Sequence, residues 1–169
     1  MVGGVHRLTN PVRDYAWGVV DGLADLVGRE PTGRREAELW IGAHPGAPSR
    51  LDDGTTLDRA IAAAPEAMLG DDVLARFGPR LPYLLKVLAI GRALSIQLHP
   101  DAEQAAAGFA REEAEGPALD APDRTYRDPH PKPEMLVALR RTTILVGLRP
   151  GDEAAGLLRA VDGAAARDL

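Results

Sequence analysis

Between Leu81 and Pro100 the chain reads LPYLLKVLAIGRALSIQLHP, two apolar runs parted by Gly91 and Arg92. Each run has strand length and the glycine between them suits a turn, so the stretch predicts a β-hairpin. The second run alternates. Leu94, Ile96 and Leu98 fall on one face of an extended chain, and Ser95, Gln97 and His99 fall on the other. By pattern the segment looks like an ordinary buried strand, and β structure is the expectation here.

The flanking segments fit such a plan. The first fifty residues intersperse short apolar pieces with Gly and Pro, as short strands joined by turns do. TLDRAIAAAPEAMLGDDVLARF has apolar residues near helical spacing, and Pro65 interrupts it, so a helical insert of two short helices is expected over about 56–78. After His99, Pro100 at a first helical position and Gly116 at the end bracket a further helix. Five prolines between Pro117 and Pro133 exclude helix there. EMLVALRRTTILVGLRP then reads as another strand pair, and residues 151–169 as the start of a helical segment.

At 169 residues the chain supports one domain or a little more. A net charge of −5 and the lack of any large basic run argue against a general nucleic-acid binder, whose affinity rests on neutralising phosphates. There is no cysteine, so a metal would need nitrogen and oxygen ligands. The start, MVGGVHRLTN, lacks a signal-peptide profile, and no apolar run approaches the ~20 residues of a membrane span. A cytoplasmic protein without a membrane partner is expected.

The polar row of the alternating segment has a companion. Lys132 and Glu134 also stand two apart, next to prolines that favour extended backbone, and so share a face. Were the two rows to converge, Gln97 would offer an amide oxygen, His99 an imidazole nitrogen and Glu134 a carboxylate. That set suits zinc or another divalent first-row ion. The plainer readings are a solvent-facing row and a surface ion pair between Lys132 and Glu134.

Four separated motifs, NPVRDYAWG (10–18), AELWIGAHPGAPS (37–49), LPYLLKVLAIGRALSIQLHPD (81–101) and KPEM (132–135), together resemble the type I phosphomannose isomerases. The resemblance runs from about residue 6 to 150. It implies a mainly β fold with helical insertions, a cupin-type β-sandwich or jelly roll that is incomplete at its C-terminal end. Residues 1–150 would be the N-terminal part of the catalytic domain, and 151–169 a truncated helical segment. It further implies one zinc ion per subunit and the interconversion of mannose 6-phosphate and fructose 6-phosphate, with a sugar phosphate as the small-molecule partner.

Carried over by motif, Gln97, His99 and Glu134 match three of the family's four zinc ligands. Ser95 and Lys132 match polar groups of the substrate cleft and are assigned to substrate binding and catalysis, and Trp17 and Glu38 lie in motifs lining that cleft. The family's fourth ligand, a histidine, and an arginine that assists proton transfer belong to its C-terminal part and have no counterpart here. Before the lysine the family often has Asn then His; this chain has His130 then Pro131, so His130 reads as a loop residue. His44 reads as structural and His6 as exposed. The competing expectation is a truncated or degenerate cupin that binds metal or sugar phosphate without catalysis, and whose uncovered edges promote self-association.

Overall fold

The computed structural model describes residues 5–160, which divide between Gln97 and Leu98 into two compact units. In the first, the short apolar pieces become strands β1 (Val12–Arg13), β2 (Val19–Val20), β3 (Arg35–Glu36) and β4 (Glu38–Ile41), with a one-turn helix α1 (Ala24–Val27) between β2 and β3. Helices α2 (Leu57–Ala63), α3 (Pro65–Leu69) and α4 (Asp71–Phe77) follow, and then strand β5 (Leu85–Leu88). Pro65 opens α3 at a position that needs no backbone N–H. Gly70, at φ 77°, makes a second break, so this region is three helices where two were expected.

No pair of these strands would be stable alone, and the sheet gathers them across long sequence separations. β1, β4 and β5 form an antiparallel sheet in that order, with Val12 opposite Leu39, Arg13 opposite Glu38, and Trp40 opposite Lys86. β2 pairs with β3 separately. Beneath lie Leu23, Ala24, Ala37, Leu39 and Ile61, all buried. Gly18, just before β2, permits the close approach of its backbone to β3: a Cβ there would lie 2.5 Å from the carbonyl oxygen of Glu36.

Two buried polar side chains of this unit, Ser49 and Glu36, find partners. Ser49, fully buried, donates its hydroxyl to Asn10 Oδ1 at 2.7 Å and accepts the Gly42 N–H at 3.0 Å, which fastens the segment after β4 to the N-terminal strand region. Glu36, 2% exposed, accepts the Leu23 N–H at 2.8 Å and pairs with Arg29, closing α1 onto β3.

The expected hairpin over 81–98 does not form. β5 takes β4 as its partner, and the turn groups are engaged elsewhere: Gly91 N–H donates to the Trp17 carbonyl at 3.0 Å, and the Arg92 side chain donates to the Ala16 carbonyl. Residues 93–100 are left without a strand partner among the described residues.

The second unit is built on α5 (Ala102–Glu115). Its start falls after the expected Pro100 because Asp101 caps it: Asp101 Oδ1 accepts the Gln104 N–H at 2.8 Å, and Gln104 Oε1 accepts the Asp101 N–H at 3.2 Å. Gly116 ends it. The proline-rich loop folds back on this helix through Arg124, whose side chain is 2% exposed. Its guanidinium donates to the carbonyls of Tyr126, Glu112 and Pro117 and to Glu113 Oε1, and it lies 3.0 Å from Glu112 Oε2 and over the Phe109 ring. Gly108 leaves room for the Tyr126 ring, which any Cβ there would overlap.

The strand pair expected after Glu134 is also absent. A strand needs a neighbouring edge to take up its N–H and C=O groups, and this unit has no strand among its described residues to supply one. The apolar side chains of that segment stand in solvent, Met135 at 90% exposure and Val146 at 88%. Helix α6 (Gly151–Ala160) closes the described chain; the helical expectation for 161–169 lies outside the described residues. Among the described residues no helix is long and apolar enough to cross a membrane.

Candidate functional site

Alternation along β4 places Glu38 and Trp40 on one face, and the antiparallel register brings Arg13 beside Glu38 and Lys86 beside Trp40. The result is a packed polar and aromatic cluster. Glu38, buried, accepts the Trp40 indole N–H at 2.5 Å and meets Lys86 Nζ at 3.3 Å on the same carboxylate oxygen. Lys86 also lies 4.9 Å from the Trp40 ring centre, and Arg13 stands 5.4 Å from that ring and 5.6 Å from Tyr15. Two cations therefore flank one indole. His44 meets Trp40 edge to face at 4.8 Å and accepts the Gly46 N–H on Nδ1, the turn-forming role expected of it.

Trp17, half-buried, stacks on Tyr15 with ring centres 5.9 Å apart and extends the aromatic surface toward β2. It bounds a cavity of about 380 Å³ together with Gly18, Val20, Arg35, Gly91 and Arg92. Of the residues expected in a substrate cleft, Glu38 and Trp17 thus sit in the first unit's built surface. Lys86, Arg13, Arg35 and Arg92 are not singled out by the sequence. A signal for Lys86 exists, since a strand basic residue facing the Glu38 and Trp40 row is a natural counter-ion, but its register with β4 spans more than forty residues of sequence.

The other expected site residues are placed differently. Ser95, Gln97 and His99 are exposed on the unpaired segment 93–100, with Gln97 closing the first unit and His99 in the second. Lys132 and Glu134 are brought together: Lys132 Nζ lies 3.7 Å from Glu134 Oε1, and the side chains are 58% and 55% exposed. His99 makes no hydrogen bond or ion pair with Glu134 among the described residues. Nor do the described residues contain a group of three or more His, Asp or Glu able to hold a metal ion. His130 lies in the proline-rich loop, its N–H bonded to Asp128 Oδ1, and His6 is exposed.

Comparison with known proteins resolves the relationship. Residues 5–151 match the family model for the phosphomannose isomerase type I catalytic domain. The mannose-6-phosphate isomerase of Escherichia coli K12 is 41% identical over 165 residues, covering 95% of this chain and 42% of that protein. Its Mus musculus counterpart is 35% identical over 170 residues, covering 93% and 38%. A crystal structure of the Salmonella typhimurium mannose 6-phosphate isomerase bound to its substrate, fructose 6-phosphate, and to zinc superposes with a TM-score of 0.67 at 44% identity, covering 75% of this chain and 33% of that one. The chain thus spans well under half the length of the curated relatives it matches. By the family match, by identity and by fold, this chain belongs to the type I phosphomannose isomerases.

Proposed function

We propose that this region works as part of a metal-dependent aldose–ketose isomerase that interconverts mannose 6-phosphate and fructose 6-phosphate in the cytoplasm, within a cupin-type β-sandwich. The observation that carries the reading is the 44% identity to a Salmonella enzyme crystallised with fructose 6-phosphate and zinc.

The donor chemistry suits a divalent metal. Gln97 supplies an amide oxygen, His99 an imidazole nitrogen and Glu134 a carboxylate, all exposed, and Glu134 meets only Lys132 among the described residues. When bound, zinc supplies Lewis-acid polarisation of the sugar's carbonyl and hydroxyl oxygens. What remains is proton transfer and charge balance. A proton leaves C2 of the open-chain aldose and returns at C1, with the carbonyl and hydroxyl exchanging positions through an enediol, so no outside oxidant or reductant is involved. Lys132 carries a positive charge to balance negative sugar or phosphate oxygens, and Ser95 offers a hydroxyl donor to the phosphate. Trp17, buried Glu38 and half-buried Lys86 form an aromatic and polar wall against which the sugar is oriented.

The test is a coupled assay of fructose 6-phosphate conversion with and without chelator. Activity lost on chelation and restored by zinc supports the reading; chelator-resistant activity, or none in a longer protein carrying this region, overturns it. A second reading, binding without catalysis, is favoured by the exposure of the three candidate ligands. It is distinguished by measuring zinc and mannose 6-phosphate binding on these 169 residues beside turnover.

A further inference from the structure

We propose that the cleft beside Trp17 is an anion site in its own right, one that takes the phosphate group of a small monoester between Arg35 and Arg92. The proposal rests on the isomerase reading in one respect, since it shares Trp17 with the wall assigned there to the sugar. Its floor is the short antiparallel contact in which Gly18 bridges Ile90 and Gly91 N–H donates to the Trp17 carbonyl. Both guanidiniums are tied to this floor. Arg35 Nη1 donates to the Gly18 carbonyl at 3.0 Å, and Arg92 donates through Nε at 3.1 Å and Nη2 at 2.6 Å to the Ala16 carbonyl.

Those two carbonyls stand two residues apart on one strip of backbone, so the side chains are anchored along the same edge. Anchoring consumes only part of each fork. Arg92 Nη1 and Arg35 Nε and Nη2 have no protein acceptor among the described residues, and neither arginine pairs there with a carboxylate. Among the described residues no Asp or Glu lines the cleft. Two guanidiniums with no carboxylate partner among the described residues line one cavity, in a chain of net charge −5, and form a local positive field suited to an anion.

The geometry favours phosphate over a simple halide, because planar forks with spare N–H groups match its oxygens in pairs. Trp17 supplies an adjoining aromatic face for the C–H side of a sugar or polyol. About 380 Å³ is room enough for a sugar phosphate.

Isothermal titration of the chain with inorganic phosphate, fructose 6-phosphate and fructose tests this. Saturable binding of the two phosphates and none of fructose is expected. Arg35→Gln and Arg92→Gln should each weaken it by about tenfold or more. Because these substitutions also remove backbone anchors, Val20→Glu is the second arm: it places a carboxylate in the lining and leaves both anchors intact. It should abolish phosphate binding at an unchanged melting temperature. Tighter binding of fructose 6-phosphate than of phosphate supports a monoester site; equal affinity overturns the monoester assignment in favour of the free ion. No saturable phosphate binding, or binding untouched by Val20→Glu and lost only in Lys132→Met, overturns the site itself.

Discussion

Lys86 Nζ sits 3.3 Å from Glu38 Oε2 while Glu38 also accepts the Trp40 indole N–H, so one carboxylate oxygen joins two strands and an aromatic ring. Glu38 is buried and Lys86 only partly so. Lys86→Met removes the counter-ion and leaves a buried carboxylate with a single donor. A loss of about 1–3 kcal/mol in urea unfolding is expected, with Glu38→Gln, which keeps an acceptor for the indole, costing less. Equal losses from both variants would show that the pair adds nothing.

Arg124 anchors the second unit through three carbonyls and two carboxylates. Arg124→Met is expected to cost about 1–3 kcal/mol, because several partly buried acceptors lose one shared, buried donor at once. Arg124→Lys should rescue little, since a point charge cannot span that fork of partners. Limited proteolysis of the loop between Pro117 and Pro133 reads the effect directly.

Glu112 gives the second unit an acid dependence. Its carboxyl is held below its ordinary value of 4.5 chiefly by the backbone N–H of Tyr126, then by that of Thr125 and by the Arg124 charge. A lowered value in the folded state means that the unfolded chain takes up protons first as pH falls. The stabilisation is therefore fully present above about pH 4.5 and disappears as pH drops through the folded value. Glu112→Gln should flatten that acid limb in a series of melting curves between neutral and acid pH.

Gly108 faces the Tyr126 ring with no space for a side chain. Gly108→Val should force the ring away and destabilise by about 1–3 kcal/mol, measured by thermal unfolding. Gly108→Val with Tyr126→Ala should recover part of that loss.

If Gln97, His99 and Glu134 hold zinc, His99→Ala and Glu134→Ala should each weaken it by about tenfold or more in competition with a chromogenic chelator. His130→Ala should leave zinc affinity unchanged.

Local patterns are legible where the cause is local. The break at Pro65 and the glycine end of α5 both follow from a few adjacent residues. The two expected strand pairs fail because an apolar run specifies that it will pair, not with what. β5 finds β4, and the Gly91 and Arg92 turn is drawn to Ala16 and Trp17, seventy-odd residues away. Lys132 and Glu134 share a face by their spacing, and they do meet; Ser95, Gln97 and His99 have the alternation of a strand row yet lie on unpaired chain. Arg35 and Arg92 carry no local signal, since their meaning comes from a cleft assembled by three distant segments.

The bare run from Met135 to Leu148 has a practical meaning for anyone handling the chain. An extended, apolar, unladdered backbone is what a protease cleft or a chaperone groove grips, and neither has to wait for global unfolding to reach it. Cleavage of these 169 residues by an added protease is therefore expected to begin within that run, whatever the strength with which Arg124 and Glu38 hold the rest.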